Sequence, residues 1–511
     1  MSATGRETAR PPVIIFLLLA SVSVSLLLRA WLTPPRGTAF VGTFAYVDDF
    51  YNYLSMVEQA QRGALVFQSK MASPALPAAL VNVEWLSVGW IAAASGGRPV
   101  LAYRLFGLIA LAALVWAADR WIVRCGVPQG QRAAALLLVV TGGGLGGLCY
   151  WLGLVPVERA FDLRTGAYPF VEVLANPHFA AGTALLASAL AAFASGRAAL
   201  GALLGATLGL VRPYDATLLG AIEVTAILVL GPGRDWLRRA LPILALVPPL
   251  AYNGWVFRAS PAFRVWVSPH YAEIIPSATE WLVLLGPATL AAFTGLAAPG
   301  PPRDEQARRH VVRLRLWAAI ALLIAILRPV SFSLQFVVGI GLPLLVLAAV
   351  GLARWRYTLE IAVPLLATSA IVYAWLAATP NLDSHPPVER IRVAVALRAA
   401  CRPGDVALAP ADIGLYVGGL TPCWPFVSHP AAPDYSQRLQ AVTGFYDQRS
   451  PPAQRAAWLE RNCIAHVVVP PTFGAAWFDE RSAYRPRLAV NGPNGSLAVW
   501  SRIPSAACTP P

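Results

Sequence analysis

The stretch of sequence around which this chain is organised is residues 47–54, which read VDDFYNYL. It directly follows the first apolar segment and carries two adjacent carboxylates, Asp48 and Asp49, into an otherwise apolar protein. Ionisable groups in a membrane-embedded chain lie mainly in a bundle interior, a water-filled cavity or an exposed loop, and they are candidates for function. The pair could also begin a solvated loop and cap a helix. Its position between a predicted span and an aromatic-rich amphipathic segment favours a site at the membrane surface.

The composition indicates a polytopic membrane protein. Of the 511 residues, 57% are hydrophobic and only 13% are charged, and the mean hydropathy is +0.57. These values lie outside the usual range of soluble globular domains. The net charge of +14 comes almost entirely from Arg, since Lys70 is the only Lys. Because the Arg residues are spread between the apolar segments, membrane topology explains them better than a polyanionic partner does. We therefore expect contact with membrane lipids and not with nucleic acid.

The apolar segments predict a bundle of about eleven transmembrane helices. They lie near residues 12–31, 101–119, 133–152, 177–195, 198–211, 214–231, 239–257, 280–298, 316–330, 334–352 and 358–378. Every second connection between them is rich in Arg, and the positive-inside rule assigns those connections to the cytoplasm. They hold Arg120, Arg124 and Arg132, then Arg197, then Arg234, Arg238 and Arg239, then Arg303, Arg308, Arg309, Arg313 and Arg315, and finally Arg354 and Arg356. The first segment is interpreted as a retained signal-anchor helix.

This topology makes residues from about 34 to 100 the first outer loop. Between Tyr53 and Leu65, apolar residues recur at helical spacing against polar ones, which predicts a helix lying on the membrane surface. A Pro-containing break follows at residues 73–77. Residues 78–94 are short for a span, and counting them as one would move all the basic connections outside. We therefore interpret them as a second interfacial helix.

From about residue 380 to residue 511 the composition becomes that of a soluble domain. Residues 406–409, 424–427 and 464–469 resemble strands, and residues 389–400, 435–446 and 452–461 resemble helices, which predicts a small α/β layer. Four of the six cysteines fall here, and their three possible pairings stay open: Cys401, Cys423, Cys463 and Cys508. The sequon at residues 494–496 is interpreted as a turn between two final strands. The predicted division is therefore a membrane domain at 1–379 and an α/β domain at 380–511.

The other predicted outer loops carry two sets of polar residues. The first set contains Glu158, Asp162, Glu172 and His178. Each suits a solvated loop or a helix cap, whereas together with Asp48 and Asp49 they offer what a metal site or an acid/base site needs. The second set contains Arg258, Arg328 and the RPYD segment at 212–215, which includes Arg212, Tyr214 and Asp215. Arg suits phosphate because its planar fork donates two parallel hydrogen bonds. For Arg258 the alternative is a side chain that reaches lipid headgroups.

These features resemble the GT-C superfamily, which comprises integral-membrane glycosyltransferases that use polyprenyl-phosphate-linked sugars. The superfamily includes protein mannosyltransferases and the aminoarabinose transferases of lipid A. The resemblance rests on DDFYNYL at residues 48–54, RLFG at 104–107, RPYD at 212–215, and VSHP at 427–430 with Asp434 and Tyr435. These motifs are short, although the likeness covers most of the chain and points to a bacterial branch. Better-known members often have Asp-Glu where this chain has Asp-Asp.

The resemblance implies a membrane all-α fold of the GT-C type with a small C-terminal α/β domain. It also implies transfer of a hexosyl or pentosyl group from a polyprenyl-phosphate donor to a glycan, lipid or protein acceptor at the outer face of the inner membrane. Asp48 would be the general base, and Asp49 would orient the acceptor or bind Mg²⁺ or Mn²⁺ with Glu172. Arg212 and Arg328 would hold the phosphate. The remaining expected substrate-binding residues are His178, Tyr214, Asp215 and Arg258.

Two other classes of function compete with this one. A transporter or flippase would show charged residues at mid-membrane and internal repeats of spans. The sequence shows no repeat, and Glu223 is the main acid well inside a span. A membrane scaffold that only holds the C-terminal domain outside would leave the acidic pair and the outer Arg set unexplained.

Overall fold

The computed structural model describes residues 10–71, 77–231, 236–264, 276–296, 304–355, 357–432, 434–447, 451–471, 483–493 and 495–503. The chain divides into two compact units. The helical unit comprises Met1–Leu28, Tyr103–Trp255 and Pro269–Thr379, and the sheet unit comprises Arg29–Ala102, Val256–Ser268 and Pro380–Pro511. The first outer loop thus belongs with the C-terminal residues, whereas the sequence analysis assigned it to the membrane domain.

The α-helices and strands follow one another along the chain. They are α1 Arg10–Leu32, α2 Val47–Gln61, α3 Val83–Ala94, α4 Pro99–Arg124, α5 Arg132–Thr141, α6 Gly146–Trp151, α7 Pro169–Ala175, α8 Pro177–Ala194, α9 Ala198–Val211, α10 Pro213–Val229, α11 Trp236–Ala240, α12 Val247–Ala259, α13 Pro261–Arg264, α14 Ala278–Leu296, α15 Glu305–Leu327, α16 Gly341–Leu352, α17 Thr358–Leu366, α18 Thr368–Ala378, α19 Val388–Leu397, β1 Val406–Leu408, α20 Ala411–Leu420, β2 Trp424–Pro425, α21 Tyr435–Tyr446, α22 Pro452–Arg461, β3 Ile464–Val469, β4 Tyr484–Gly492 and β5 Gly495–Arg502.

Six helical stretches in the described part of the chain are long and apolar enough to cross a membrane. They are Arg10–Leu32, Pro99–Arg124, Pro177–Ala194, Glu305–Leu327, Ser333–Leu352 and Thr358–Ala378. This finding confirms a multi-pass helical architecture, and the count of about eleven spans stays a prediction. The predicted span at 133–152 is interrupted between α5 and α6. There Gly144 approaches the backbone of residues 283 and 284 so closely that a Cβ would clash.

The predicted loop before residue 316 is largely helical. Asp304 caps α15 by accepting a hydrogen bond from the Gln306 N–H at 3.1 Å, so the helix begins at Glu305. Ion pairs between Glu305 and both Arg308 and Arg309, at spacings of three and four residues, continue along this first turn. The sequence analysis treated this segment as a loop because its charges mask the helical pattern. Arg234, Arg303 and Arg356 lie outside the described residues.

The sheet unit joins the first outer loop to the C-terminal chain. The Ala39 N–H donates to the Pro386 carbonyl at 3.0 Å, and the Val41 N–H donates to the Ser384 carbonyl at 2.9 Å. Helix α2 packs against α3 and α20, and it buries Glu58 and Gln59. Its predicted polar face is therefore partly covered by protein. Helix α3 has 12 residues, or about 18 Å, short of the ~30 Å hydrocarbon core of a bilayer.

The C-terminal residues form the predicted α/β layer. The strand order is β2-β1-β3-β5-β4, with β1 parallel to β2 and β3, and with β5 antiparallel to β3 and β4. A core that includes Leu408, Trp424 and Val467 lies against the sheet. A disulfide joins Cys401 to Cys423, which precede the neighbouring strands β1 and β2. It selects one of the pairings left open by the sequence. Cys508 and Asn494 of the sequon lie outside the described residues, as do residues 73–76 of the predicted break.

Candidate active site

The two carboxylates of the opening stretch lie in the first turn of α2. The residue that precedes the helix is Tyr46, which has a left-handed backbone with φ 53° and makes no side-chain capping bond. Asp48 and Asp49 are thus inside the helix and are not its N-cap. Carboxylates in the first turn are stabilised by the helix dipole. Asp48 is exposed, and the Asp49 side chain retains 30% of its accessible surface.

Asp49 faces a histidine from the C-terminal chain. The His429 Nε2 lies 3.5 Å from Asp49 Oδ1, and the His429 side chain is buried. The Ala431 N–H donates to His429 Nδ1 at 3.0 Å, so a neutral ring carries its proton on Nε2, toward the carboxylate. The preceding residue, Ser428, donates to the Met71 carbonyl at 2.7 Å and thereby positions the loop. His429 therefore lies beside Asp49, although no hydrogen bond joins the two side chains.

Asp48 has an environment that raises its pKa. Although the side chain is exposed, the protein around it removes part of the solvation of the carboxylate and raises the pKa of Asp48 above its ordinary value; the charges of Asp49 and Asp383 raise that pKa further, and His429 lowers it. A carboxylate with a raised pKa accepts a proton more readily than a free aspartate does. The pair thus consists of one exposed carboxylate with a raised pKa and one carboxylate that lies beside a buried imidazole.

A buried ion pair occupies the RPYD segment of the helical unit. Arg212 precedes Pro213 at the break between α9 and α10, and its Nε donates to Asp215 Oδ2 at 2.8 Å. The guanidinium lies 4.8 Å from the centre of the Phe179 ring, and Arg212 is only 2% exposed. Any Cβ at position 182 would collide with Arg212, so Gly182 is needed there. A bidentate grip on phosphate by Arg212 would require this pair to open.

Glu172 lies near the same ion pair, and His178 lies beside Phe179. Glu172 is fully buried in the short helix α7, and burial raises its pKa to about 8, with Arg212 and Asp215 close enough to influence it. Its carboxyl group is therefore protonated more readily than that of a free glutamate. His178, in the first turn of α8, is buried beside Phe179, with 6.1 Å between the ring centres. The structure brings Glu172, Arg212 and Asp215 together as one cluster.

The other predicted site residues are more dispersed. Tyr214 packs against Phe332, with 4.9 Å between the ring centres. Arg328 is exposed and ends α15 in a left-handed conformation with φ 53°. Arg258 is exposed in the sheet unit, and its carbonyl accepts two hydrogen bonds from Arg264. Exposure leaves Arg258 and Arg328 accessible to an anionic lipid.

Two acids from the sequence analysis have structural partners. Asp162 accepts hydrogen bonds from the Ser369 hydroxyl at 2.6 Å and from the Gly146 N–H at 3.0 Å. Glu223 accepts from Arg313 Nε and Nη2 at 2.7 and 2.8 Å, and both side chains are buried. Arg313 is therefore a packed helix residue and not part of a solvated loop. The intramembrane acid that suggested transport is held in a buried ion pair.

Metal-ligating side chains come together at one place in the described residues. Within them, the one group of three or more metal-ligating side chains contains Cys401, Cys423 and His466. The two sulfur atoms of that group are joined in a disulfide. Neither Asp49 nor Glu172 belongs to such a group in the described part of the chain. A cation held by Asp49 with Glu172 stays a prediction.

Sequence reasoning missed the role of His429 and the buried Lys70. Lys70 donates to the Thr421 carbonyl at 2.8 Å and lies 3.4 Å from Glu58, and burial lowers its pKa to about 8. The sequence offered one signal for Lys70, because it is the only Lys in an Arg-rich chain. His429 was noticed only as part of a short motif. Its partner lies in a distant segment, so no local pattern could reveal the contact.

The chain is similar in fold to two solved structures. No protein-family model and no curated protein matches the chain. The crystal structure of ArnT from Cupriavidus metallidurans bound to undecaprenyl phosphate matches with TM-score 0.56 and 13% identity, over 99% of both chains. The cryo-EM structure of the arabinofuranosyltransferase AftD from Mycobacteria matches with TM-score 0.55 and 17% identity, over 96% of this chain. The chain spans 40% of the length of AftD.

Proposed function

From the GT-C fold that this chain shares with ArnT and AftD, we infer that it is a membrane glycosyltransferase. The proposed reaction transfers a sugar from a polyprenyl-phosphate-linked donor to a glycan, lipid or protein acceptor. The observation that carries the proposal is the exposed carboxylate of Asp48, with its raised pKa, in the first outer loop of such a fold. The match to ArnT over its full length, in a complex with undecaprenyl phosphate, supports a lipid-phosphate donor.

The proposed mechanism is a direct displacement. Asp48 takes the proton from an acceptor hydroxyl as the acceptor oxygen forms a bond to the anomeric carbon of the sugar. The bond from that carbon to the phosphate oxygen breaks, and polyprenyl phosphate leaves with the electron pair. General-base assistance of this kind contributes on the order of 10²–10⁴-fold. Asp49, which lies beside His429, orients the acceptor.

The leaving phosphate needs positive charge nearby. Exposed Arg258 and Arg328 are the proposed contacts, because their guanidinium groups can reach a lipid headgroup without breaking a buried pair. The role proposed for Arg212 is structural. It pairs with Asp215 and so stabilises the first turn of α10. A divalent cation on Asp49 or Glu172 stays a prediction, and no step of the mechanism is assigned to it.

The proposed location is the inner membrane, with residues 380–511 on the periplasmic side. We expect a membrane-impermeant thiol reagent, applied to intact inner-membrane vesicles of right-side-out orientation, to label Ser436→Cys and not Arg308→Cys. Both positions are exposed. The background carries Cys149→Ser, because Cys149 is partly exposed. Labelling at position 308 alone would invert the topology.

The function itself is tested by turnover with purified protein. We expect the detergent-solubilised chain to release polyprenyl phosphate from a lipid-linked sugar donor in the presence of an acceptor extract, and to transfer the sugar to that acceptor. The same preparation in liposomes is assayed for movement of the donor between leaflets. Transfer without such movement supports the glycosyltransferase. Movement of the donor, without transfer from any lipid-linked sugar tried, would favour the transporter class and contradict the proposal.

A further inference from the structure

The C-terminal sheet carries a pocket that the proposed mechanism does not use. Its volume is about 490 Å³, within the ~300–1,000 Å³ range of small-molecule sites. It is lined by Pro410 and Ala411, which follow β1, and by Pro470 and Pro471, which follow β3. Helices α19 and α21 supply other walls. The pocket therefore lies at the carboxyl ends of two neighbouring parallel strands.

The topology of the sheet explains why a cavity forms at this point. After β1 the chain passes through α20 to β2, on one side of β1, whereas after β3 it passes to β4, on the opposite side of the sheet. The strands that follow β1 and β3 in the chain thus lie on opposite sides of this strand pair, and the pocket lies beside the residues that directly follow β1 and β3. In open α/β sheets, ligands bind in the crevice outside the carboxyl ends of the strands at such a switch point. The position of the pocket is the one expected for a ligand site.

Tyr446 bridges the two strands at this edge. Its hydroxyl donates to the Val468 carbonyl at 2.7 Å and lies 3.4 Å from the Leu408 carbonyl. Val468 is the second-last residue of β3, and Leu408 is the last residue of β1. The phenol group therefore links the carboxyl ends of the two strands. Tyr446 is also part of the pocket lining. The pocket thus has a fixed floor supported by the sheet backbone.

The walls combine apolar surface with a few charged groups. Pro, Leu, Val and Ile side chains make up half of the lining residues, and the charged groups are Glu389, Asp412, Asp447 and Arg390. The Arg390 Nη2 lies 2.9 Å from Asp412 Oδ2. Three carboxylates against one guanidinium disfavour an anionic ligand, even though α20 begins at the pocket. The chemistry fits a neutral molecule that has both hydroxyl groups and apolar faces.

We propose that this pocket binds an uncharged saccharide. Sugar hydroxyls would donate to the carboxylates and accept from Arg390, and the C–H faces of the ring would pack on the proline and aliphatic side chains. Binding stands on the pocket alone. A further step, which rests on the proposed glycosyltransferase function, is that the saccharide is part of the acceptor glycan. The acceptor would then be a carbohydrate and not a lipid or a protein.

Binding is tested on the full chain in lipid nanodiscs by saturation-transfer NMR. The probes are neutral oligosaccharides of glucose, mannose and arabinose, acidic oligogalacturonate, and inorganic phosphate. We expect a neutral oligosaccharide to bind and the two anions to bind at least about tenfold more weakly, a difference of ~1.4 kcal/mol. Thr443→Trp places a large ring on an exposed wall position and should reduce binding at least about tenfold. Gln437→Trp, exposed on the same helix and not part of the described lining, is the matched control.

A second variant removes a polar contact without filling the pocket. Asp412→Asn keeps the shape of the side chain but weakens its hydrogen bond to a hydroxyl, so we expect neutral-saccharide affinity to fall about tenfold or more. Absence of binding by every neutral probe, or equal binding by Thr443→Trp, Gln437→Trp and the wild type, would overturn the proposal. Sugar transfer is measured separately. Saccharide binding that persists in a chain without transferase activity would refute the proposed function and leave the binding site intact.

Discussion

Asp48→Asn is expected to lower sugar transfer by about 10²–10⁴-fold, the loss typical of removing a general base. The amide keeps the shape of the side chain but cannot take the acceptor proton. Binding of the polyprenyl-phosphate donor should be preserved, because Asp48 does not contact the phosphate in the proposed mechanism. The measurement is turnover of a lipid-linked sugar by purified variants, with donor affinity determined in parallel. Asp49→Asn should have a smaller effect, since Asp49 orients and does not accept the proton.

The pH profile distinguishes a base from a structural carboxylate. Transfer by the wild type should rise with pH through the pKa of Asp48, which lies above its ordinary value of 3.8. Asp383→Asn is the matched control, because Asp383 is an exposed acid whose charge raises that pKa. Its removal should move the rising limb to lower pH and leave the plateau rate almost unchanged. Full transfer by Asp48→Asn would return the acidic pair to a role in stabilising the start of α2.

Arg212→Met is expected to destabilise the protein by about 3–5 kcal/mol, because it leaves Asp215 as an unpaired buried charge. The double variant Arg212→Met with Asp215→Leu should recover most of this loss, since a buried ion pair replaced by apolar side chains of similar volume is often neutral in stability. Arg212→Lys keeps the charge without the planar fork, so its stability should lie between that of Arg212→Met and that of the double variant. Reversible unfolding in mixed detergent micelles measures these differences.

The double variant also tests whether Arg212 holds phosphate. We expect it to bind undecaprenyl phosphate with the affinity of the wild type, because the guanidinium is 2% exposed and turned toward Asp215. Arg328→Gln, at an exposed position, should weaken that binding. The opposite pattern, with affinity lost in the stable double variant and kept in Arg328→Gln, would restore the phosphate clamp to Arg212.

The sequence predicted those features that depend on local pattern. Long apolar segments gave the correct positions of α1, α4 and α8, and the Pro residues at 177 and 213 marked the starts of α8 and α10. The alternation of strands and helices after residue 405 was also visible. Each of these depends on hydropathy, helix capping or turn chemistry within a short window.

Other features depend on pairs of residues far apart in the chain. Glu223 and Arg313, like Asp49 and His429, meet only because of tertiary packing. Neither pairing leaves a local signal in the sequence. Arg313 was therefore predicted to lie in a cytoplasmic loop, whereas it forms a buried ion pair. The pocket beside Pro410 and Pro470 follows from the order of strands in the sheet, which depends on crossover connections. Pattern analysis finds the strands but not their order.

The contact between Lys70 and Thr421 has a consequence for biosynthesis. Its two residues are separated by 351 positions, and α2 with its acidic pair packs on α20 in the same unit. At synthesis rates of about 5–20 residues per second, the partner segment emerges from the ribosome roughly 20–70 s after the first loop. During that interval α2 lacks α20, whose Tyr416 ring packs against the Tyr51 ring. The nascent loop is therefore dependent on the membrane surface or on a chaperone until the end of the chain arrives.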